Sequence, residues 1–161
     1  MPTYNRATAV AYAHRHALAP NPAYHDFAKL GGDCTNFVSQ CLFAGYPQMD
    51  FAPDGWYYRG LDSRSPSWTG VEPLHSYLTR SRSSSGLGAS SEVLANTADI
   101  ARAETGDVVQ LSFDGVRFAH SMLVVETGGA AGILVAARTL DRNFYPLSAC
   151  DFKLAHLLKM D

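Results

Sequence analysis

Two residues of this chain have the chemistry of a nucleophile and its base, Cys34 and His120. Cys34 lies in Gly31-Gly32-Asp33-Cys34-Thr35-Asn36-Phe37-Val38. A glycine pair followed by aspartate reads as a turn and a helix N-cap, the carboxylate accepting amide protons that the first helical turn leaves unpaired. Cys34, Val38, Cys41 and Leu42 then recur at the spacing of one buried helix face, and Gly45 is placed to end the helix at positive φ. Cys34 is expected at the exposed lip of that face, where the helix dipole and free amides stabilise a thiolate. His120 alternates with Met122 and Val124 on one face of a strand, and Ser121, Leu123 and Val125 take the other. An imidazole among apolar neighbours needs partners for its ring nitrogens, and a thiol at a helix tip supplies one. Together the pair has the parts of covalent catalysis: the imidazole takes the thiol proton, the sulfur attacks a carbonyl, and the imidazolium protonates the leaving amine. A third group must fix the imidazole tautomer. Asp141, Thr139 and a backbone carbonyl are the candidates, whereas Arg138 is a poor one because a cation disfavours the imidazolium. The Cys34 N–H is the first expected oxyanion donor, with the Tyr24 hydroxyl or a neighbouring amide as the second.

Helices are expected to carry the sulfur and a sheet the imidazole. A first helix reads over 5–19, closed by Pro20 and Pro22. A loop over 21–27 brings Tyr24 and Phe27 toward Cys34. A long irregular stretch over 46–67 holds Trp56-Tyr57-Tyr58, aromatics that either wall a substrate cleft or cover the end of the core. Thr69 and Glu72 have capping-box spacing ahead of a short helix that ends near Leu78. Serine and glycine dominate 81–91, which reads as mobile, and 91–103 reads as a turn or short helix. Strands follow over 108–113, 116–127, 133–138 and 152–160, with Asp114-Gly115 as a hairpin turn. Helices first and then an antiparallel meander of four or more strands make an α+β fold.

The 161 residues suit one domain, 1–161, with one core. A net charge of −2 gives no surface for nucleic acid or for an anionic membrane. No stretch is long and apolar enough to span a bilayer. The N-terminus lacks the basic-then-apolar pattern of a signal peptide. The expected location is therefore the cytoplasm, or outside the cell if the domain is excised from a longer precursor. Cys34, Cys41 and Cys150 have neither disulfide-framework nor metal-ligand spacing, so no metal or other cofactor is expected.

The run Gly-Gly-Asp-Cys-Thr-Asn-Phe-Val-Ser-Gln at 31–40 resembles the signature of the putative amidase domain family, bacterial papain-like cysteine amidases related to NlpC-type cell-wall peptidases. Similar blocks follow the family's order: Tyr4-Asn5-Arg6-Ala7, Asn21-Pro22-Ala23-Tyr24, Ser67-Trp68-Thr69, Gly106-Asp107-Val108-Val109-Gln110 and His120-Ser121-Met122. The resemblance implies a papain-like, NlpC-like fold with Cys34 as nucleophile and His120 as base. Members usually read His-Thr where this chain has Arg138-Thr139. The orienter is then Asp141, or the pair works as a dyad, or the reaction has changed. Tyr24, Asp33, Trp56, Trp68 and Arg138 are the candidate oxyanion and substrate-binding residues. The expected activity is hydrolysis of an amide in a small peptide, peptidoglycan stem peptides at the family level, through a Cys34 thioester. The alternatives are acyl transfer in biosynthesis at the same site and a binding module that has kept the fold without catalysis.

Overall fold

A computed structural model describes residues 3–80, 86–94, 102–139 and 141–161. Asn5 starts the first helix, α1 (Arg6–His16), its side-chain oxygen accepting the Thr8 N–H at 2.9 Å. The helix ends at His16, a turn earlier than expected.

The second helix, α2 (Cys34–Gly45), starts at Cys34 as read from the sequence. It is buried all round rather than on one face: every residue from Cys34 to Leu42 is out of solvent. Its polar residues are tolerated there because each finds a partner. Thr35 Oγ1 lies 2.9 Å from Ser121 Oγ, Asn36 Nδ2 donates to His25 O at 3.0 Å, and Ser39 Oγ donates to Trp68 O at 2.9 Å. Gln40 Oε1 accepts from the Tyr12 hydroxyl. Gly45 is the last helical residue and has no positive φ, which corrects the expected C′ role. Glycine is required for a different reason: a Cβ there would lie 2.6 Å from Asn5 O and 2.8 Å from the Tyr4 ring, where α1 begins.

Two short helices follow, α3 (Pro66–Thr69) and α4 (Val71–Thr79). The expected capping box does not form. Thr69 belongs to α3 and accepts Arg64 Nε at 3.3 Å, while Glu72 Oε1 accepts the Phe118 N–H at 3.3 Å. The stretch before them carries a two-stranded hairpin, β1 (Tyr58–Gly60) with β2 (Ser63–Arg64).

The main sheet has six antiparallel strands: β3 (Ala89–Leu94), β4 (Val108–Ser112), β5 (His120–Gly129), β6 (Gly132–Ala137), β7 (Arg142–Pro146) and β8 (Leu154–Met160). Their order across the sheet is β3-β8-β4-β5-β6-β7, so a meander from β4 to β7 is followed by a return of the chain to the other side of β4. The architecture is α+β, as expected. Neither β3 nor β7 was foreseen. β5 begins at His120 rather than at 116, because Asp114 Oδ1 accepts the N–H groups of Val116 and Arg117 at 2.8 Å each and holds them in the loop. Of the serine-rich stretch, 81–85 lies outside the described residues. So does 95–101, most of the expected turn or short helix; residues 91–94 belong to β3.

Alternation along the strands gives two cores. Val108, Leu123, Val125, Ala136 and Leu158 meet Phe37, Val38, Leu42, Leu74 and Leu78 of the helices. On the other face Val109, Leu111, Met122, Val124, Val135 and Leu157 pack with Leu147 from a short 3-10 turn. Asp107, fully buried, ties the layers together. Its carboxylate accepts Arg6 Nη1 at 2.7 Å, the Glu104 N–H at 2.8 Å and the Met160 N–H at 2.9 Å.

Candidate active site

Gly31 and Gly32, at φ 94° and 108°, turn the chain into α2 through backbone angles that other residues rarely take. Cys34 then occupies the first helical position with only 8% of its surface exposed. Four groups surround the sulfur and favour the thiolate: the N–H groups of Ser121, Thr35 and Cys34 itself, and the Thr35 hydroxyl, 3.8 Å away. Burial outweighs them and pushes the thiol pKa up. The expected exposed, low-pKa thiolate is therefore corrected: the helix tip faces protein, and desolvation wins over the dipole.

His120 is the first residue of β5, paired with Leu111 of β4, and is half-buried. Burial lowers its pKa, and the nearby Arg142 cation lowers it further. The ring is neutral at neutral pH and free to accept a proton, since among the described residues nothing hydrogen-bonds it. What joins the two halves of the site is the next residue along. The Ser121 hydroxyl lies 2.9 Å from Thr35 Oγ1 and accepts Gln110 Nε2 at 3.1 Å. Helix tip and strand start are thus pinned together one residue after the thiol and one after the imidazole. No hydrogen bond joins Cys34 to the His120 ring among the described residues. A cleft of about 460 Å3 opens on the His120 side, lined by Leu111, Phe113, Met122, Thr139 and Arg142 among others, with Cys34 outside its lining.

The residues around the pair sort differently from expectation. Asp33 does not cap α2 with its side chain. Its carboxylate accepts the Phe27 N–H at 2.9 Å, Asn36 Nδ2 at 2.8 Å and Arg138 Nε at 3.0 Å. Arg138, 6% exposed, also reaches Ala17 O at 3.4 Å and lies 3.7 Å from Asp26 and 3.4 Å from Asp141. Arg138 therefore points at the α2 cap. The Asp141 carboxylate lies against Arg138, and no hydrogen bond connects it to His120. Thr139, in the left-handed region at φ 57°, accepts the Asp33 N–H at 2.7 Å and borders the cleft.

Tyr24 packs in a cluster with Tyr58 and Trp68, at ring separations of 5.0 and 6.1 Å, and no hydrogen bond takes its hydroxyl to Cys34. Trp56 and Trp68 are corrected as substrate-wall residues: both are fully buried, their rings 4.8 Å apart. Trp56 Nε1 donates to Ser39 Oγ at 3.1 Å and Trp68 Nε1 to Asn36 Oδ1 at 3.0 Å, so the first indole locks the stretch before β1 onto α2 and the second locks α3 onto it. No three His, Cys, Asp or Glu side chains among the described residues converge as metal ligands, and no described helix is long and apolar enough to cross a membrane.

The match that decides the family runs over residues 3–156, nearly the whole chain, and carries the description putative amidase domain. The chain belongs to the putative amidase domain family. Among curated proteins, the uncharacterized protein YhbB of Bacillus subtilis (strain 168) is 38% identical over 142 residues. The match covers 86% of this chain and 42% of YhbB, so the chain spans less than half the length of that relative. No solved structure matches.

This amidase domain holds site residues that sequence reading missed. Thr35, Ser121 and Gln110 fasten the start of α2 to β5 and β4. The alternation of β5 already placed Ser121 opposite His120, a signal that it faces the helices. Arg142 and Tyr145 line the cleft from β7, a strand whose sequence, Arg142 to Pro146, lacks apolar alternation.

Proposed function

We propose that this amidase domain is a cysteine-dependent hydrolase that cleaves an amide bond through a thioester on Cys34. The observation that carries the reading is the 2.9 Å contact between the Thr35 and Ser121 hydroxyls, which ties the residue after Cys34 to the residue after His120. At rest the thiol and the imidazole are both neutral, so His120 acts as general base during attack rather than as the partner of a preformed thiolate. Sulfur adds to the carbonyl carbon as His120 takes the thiol proton. The N–H groups gathered at the sulfur stabilise the oxyanion. The imidazolium then gives its proton to the departing amine, and a water deprotonated by His120 releases the acid. A thiol at the start of a helix and a histidine at the start of a sheet strand also support the papain-like, NlpC-like relationship, with short peptides as the substrate class.

The reading is tested by turnover of a panel of peptide amides. Cys34→Ser and His120→Ala should each lose about a thousandfold or more in kcat/KM, with unchanged circular dichroism. Retained hydrolysis by Cys34→Ser would contradict the covalent route.

A further inference from the structure

We infer that Arg142 is a carboxylate anchor, and that the group seated in the cleft beside His120 is an apolar body carrying a carboxylate. This assignment rests on the amidase reading for its role in catalysis. Three features of the cleft carry it. Its walls are mostly apolar, from Leu111, Phe113, Ala119, Met122 and Ala149. Into this setting β7 projects one cation, whose guanidinium lies 4.1 Å from the Tyr145 ring centroid and is held by that face. Among the described residues no ion pair or hydrogen bond occupies it, in contrast to Arg138, Arg6 and Arg80, each of which has a carboxylate partner.

A half-buried guanidinium with its donors unclaimed is complementary to a planar anion that can accept two parallel N–H groups. Carboxylate fits better than phosphate. The cleft supplies a single cation, and Asp151 also lines it, so a dianion would meet repulsion without a second positive charge. The anion would sit where Arg142 now acts on His120, and its arrival would offset the positive field that disfavours the imidazolium. Substrate binding would thereby raise the basicity of the base that must act on it.

Calorimetric titration of the Cys34→Ser protein with phenylbutyrate and with phenylbutyramide isolates this contact, since neither probe is turned over. The carboxylate should bind about tenfold or more tightly than the amide and shift the His120 ring resonances. Arg142→Gln should abolish the preference, and Arg142→Lys should keep part of it. Equal affinity for the two probes, binding of neither, or a preference that survives Arg142→Gln overturns the anchor. The two readings fail separately: a carboxylate preference without Cys34-dependent hydrolysis removes the amidase reading and leaves the anchor, while hydrolysis without the preference does the reverse.

Discussion

Cys34 keeps its proton at rest and His120 lacks one, because burial raises the first pKa and lowers the second. A general-base route requires a neutral imidazole, so kcat/KM should be flat near neutrality. It should fall on the acid side only below the ordinary histidine value of 6.5, as His120 gains a proton, and on the alkaline side only above the ordinary thiol value of 9.0. A pH–rate profile checks this, and activity that rises only above the ordinary thiol value would show that the sulfur must ionise without help. Iodoacetamide should correspondingly alkylate Cys34 slowly at neutral pH and faster as the solution becomes alkaline. At this scale the glycine turn made the place of Cys34 at a helix start legible, and apolar alternation made the place of His120 on a strand legible. Their proton states were not legible, since solvent exposure at a helix tip is decided by what packs over it.

The elements that meet at Cys34 are held by the Arg138–Asp33 pair, which joins the chain after β6 to the residue that opens α2. Both side chains are nearly out of solvent, so removing Arg138 leaves the Asp33 carboxylate with only the neutral donors Phe27 N–H and Asn36 Nδ2. Arg138→Leu is expected to destabilise the fold by about 3–5 kcal/mol, measured by urea unfolding. The double variant Arg138→Leu, Asp33→Asn should recover part of that loss; no recovery would mean the two residues act independently. Asp141→Asn should leave kcat/KM within about twofold, in keeping with its partially exposed pairing to Arg138. Arg138 stood out in the sequence as a departure from the family pattern, but its target did not, because Asp33 lies 105 residues earlier in the chain. Gly45 is a similar case. Its type was informative, and the reason, a close approach of Asn5, depended on how α1 docks.

Across the whole molecule the six-stranded sheet separates two cores, and its helical side was legible from apolar spacing. The return of β8 to the side of β4 was not, because pairing between distant strands leaves little local signal. One expected consequence of this arrangement concerns acid stability. His156 of β8 pairs with Gln110 and stacks between Phe118 and His75, with Glu72 nearby; its Nδ1 is buried without a partner among the described residues, and burial pushes its pKa down to about 4. The unfolded chain takes that proton near 6.5, so it binds more protons than the folded chain between the two values. Stability is therefore full above about 6.5 and declines as pH falls toward 4. His156→Phe should keep the stack and reduce that decline in urea midpoints measured at neutral and mildly acidic pH. An undiminished decline would place the acid sensitivity elsewhere.

The whole account turns on a bond between the Cys34 sulfur and an acyl group. Intact-protein mass spectrometry after rapid acid quench, with a slowly hydrolysed peptide ester or thioester, measures it directly. The account expects a single acyl adduct that maps to Cys34, is absent from Cys34→Ser and accumulates far more slowly in His120→Ala. Turnover of the same compound with no adduct at any time point, or an adduct that maps to Cys41 or Cys150, would contradict it.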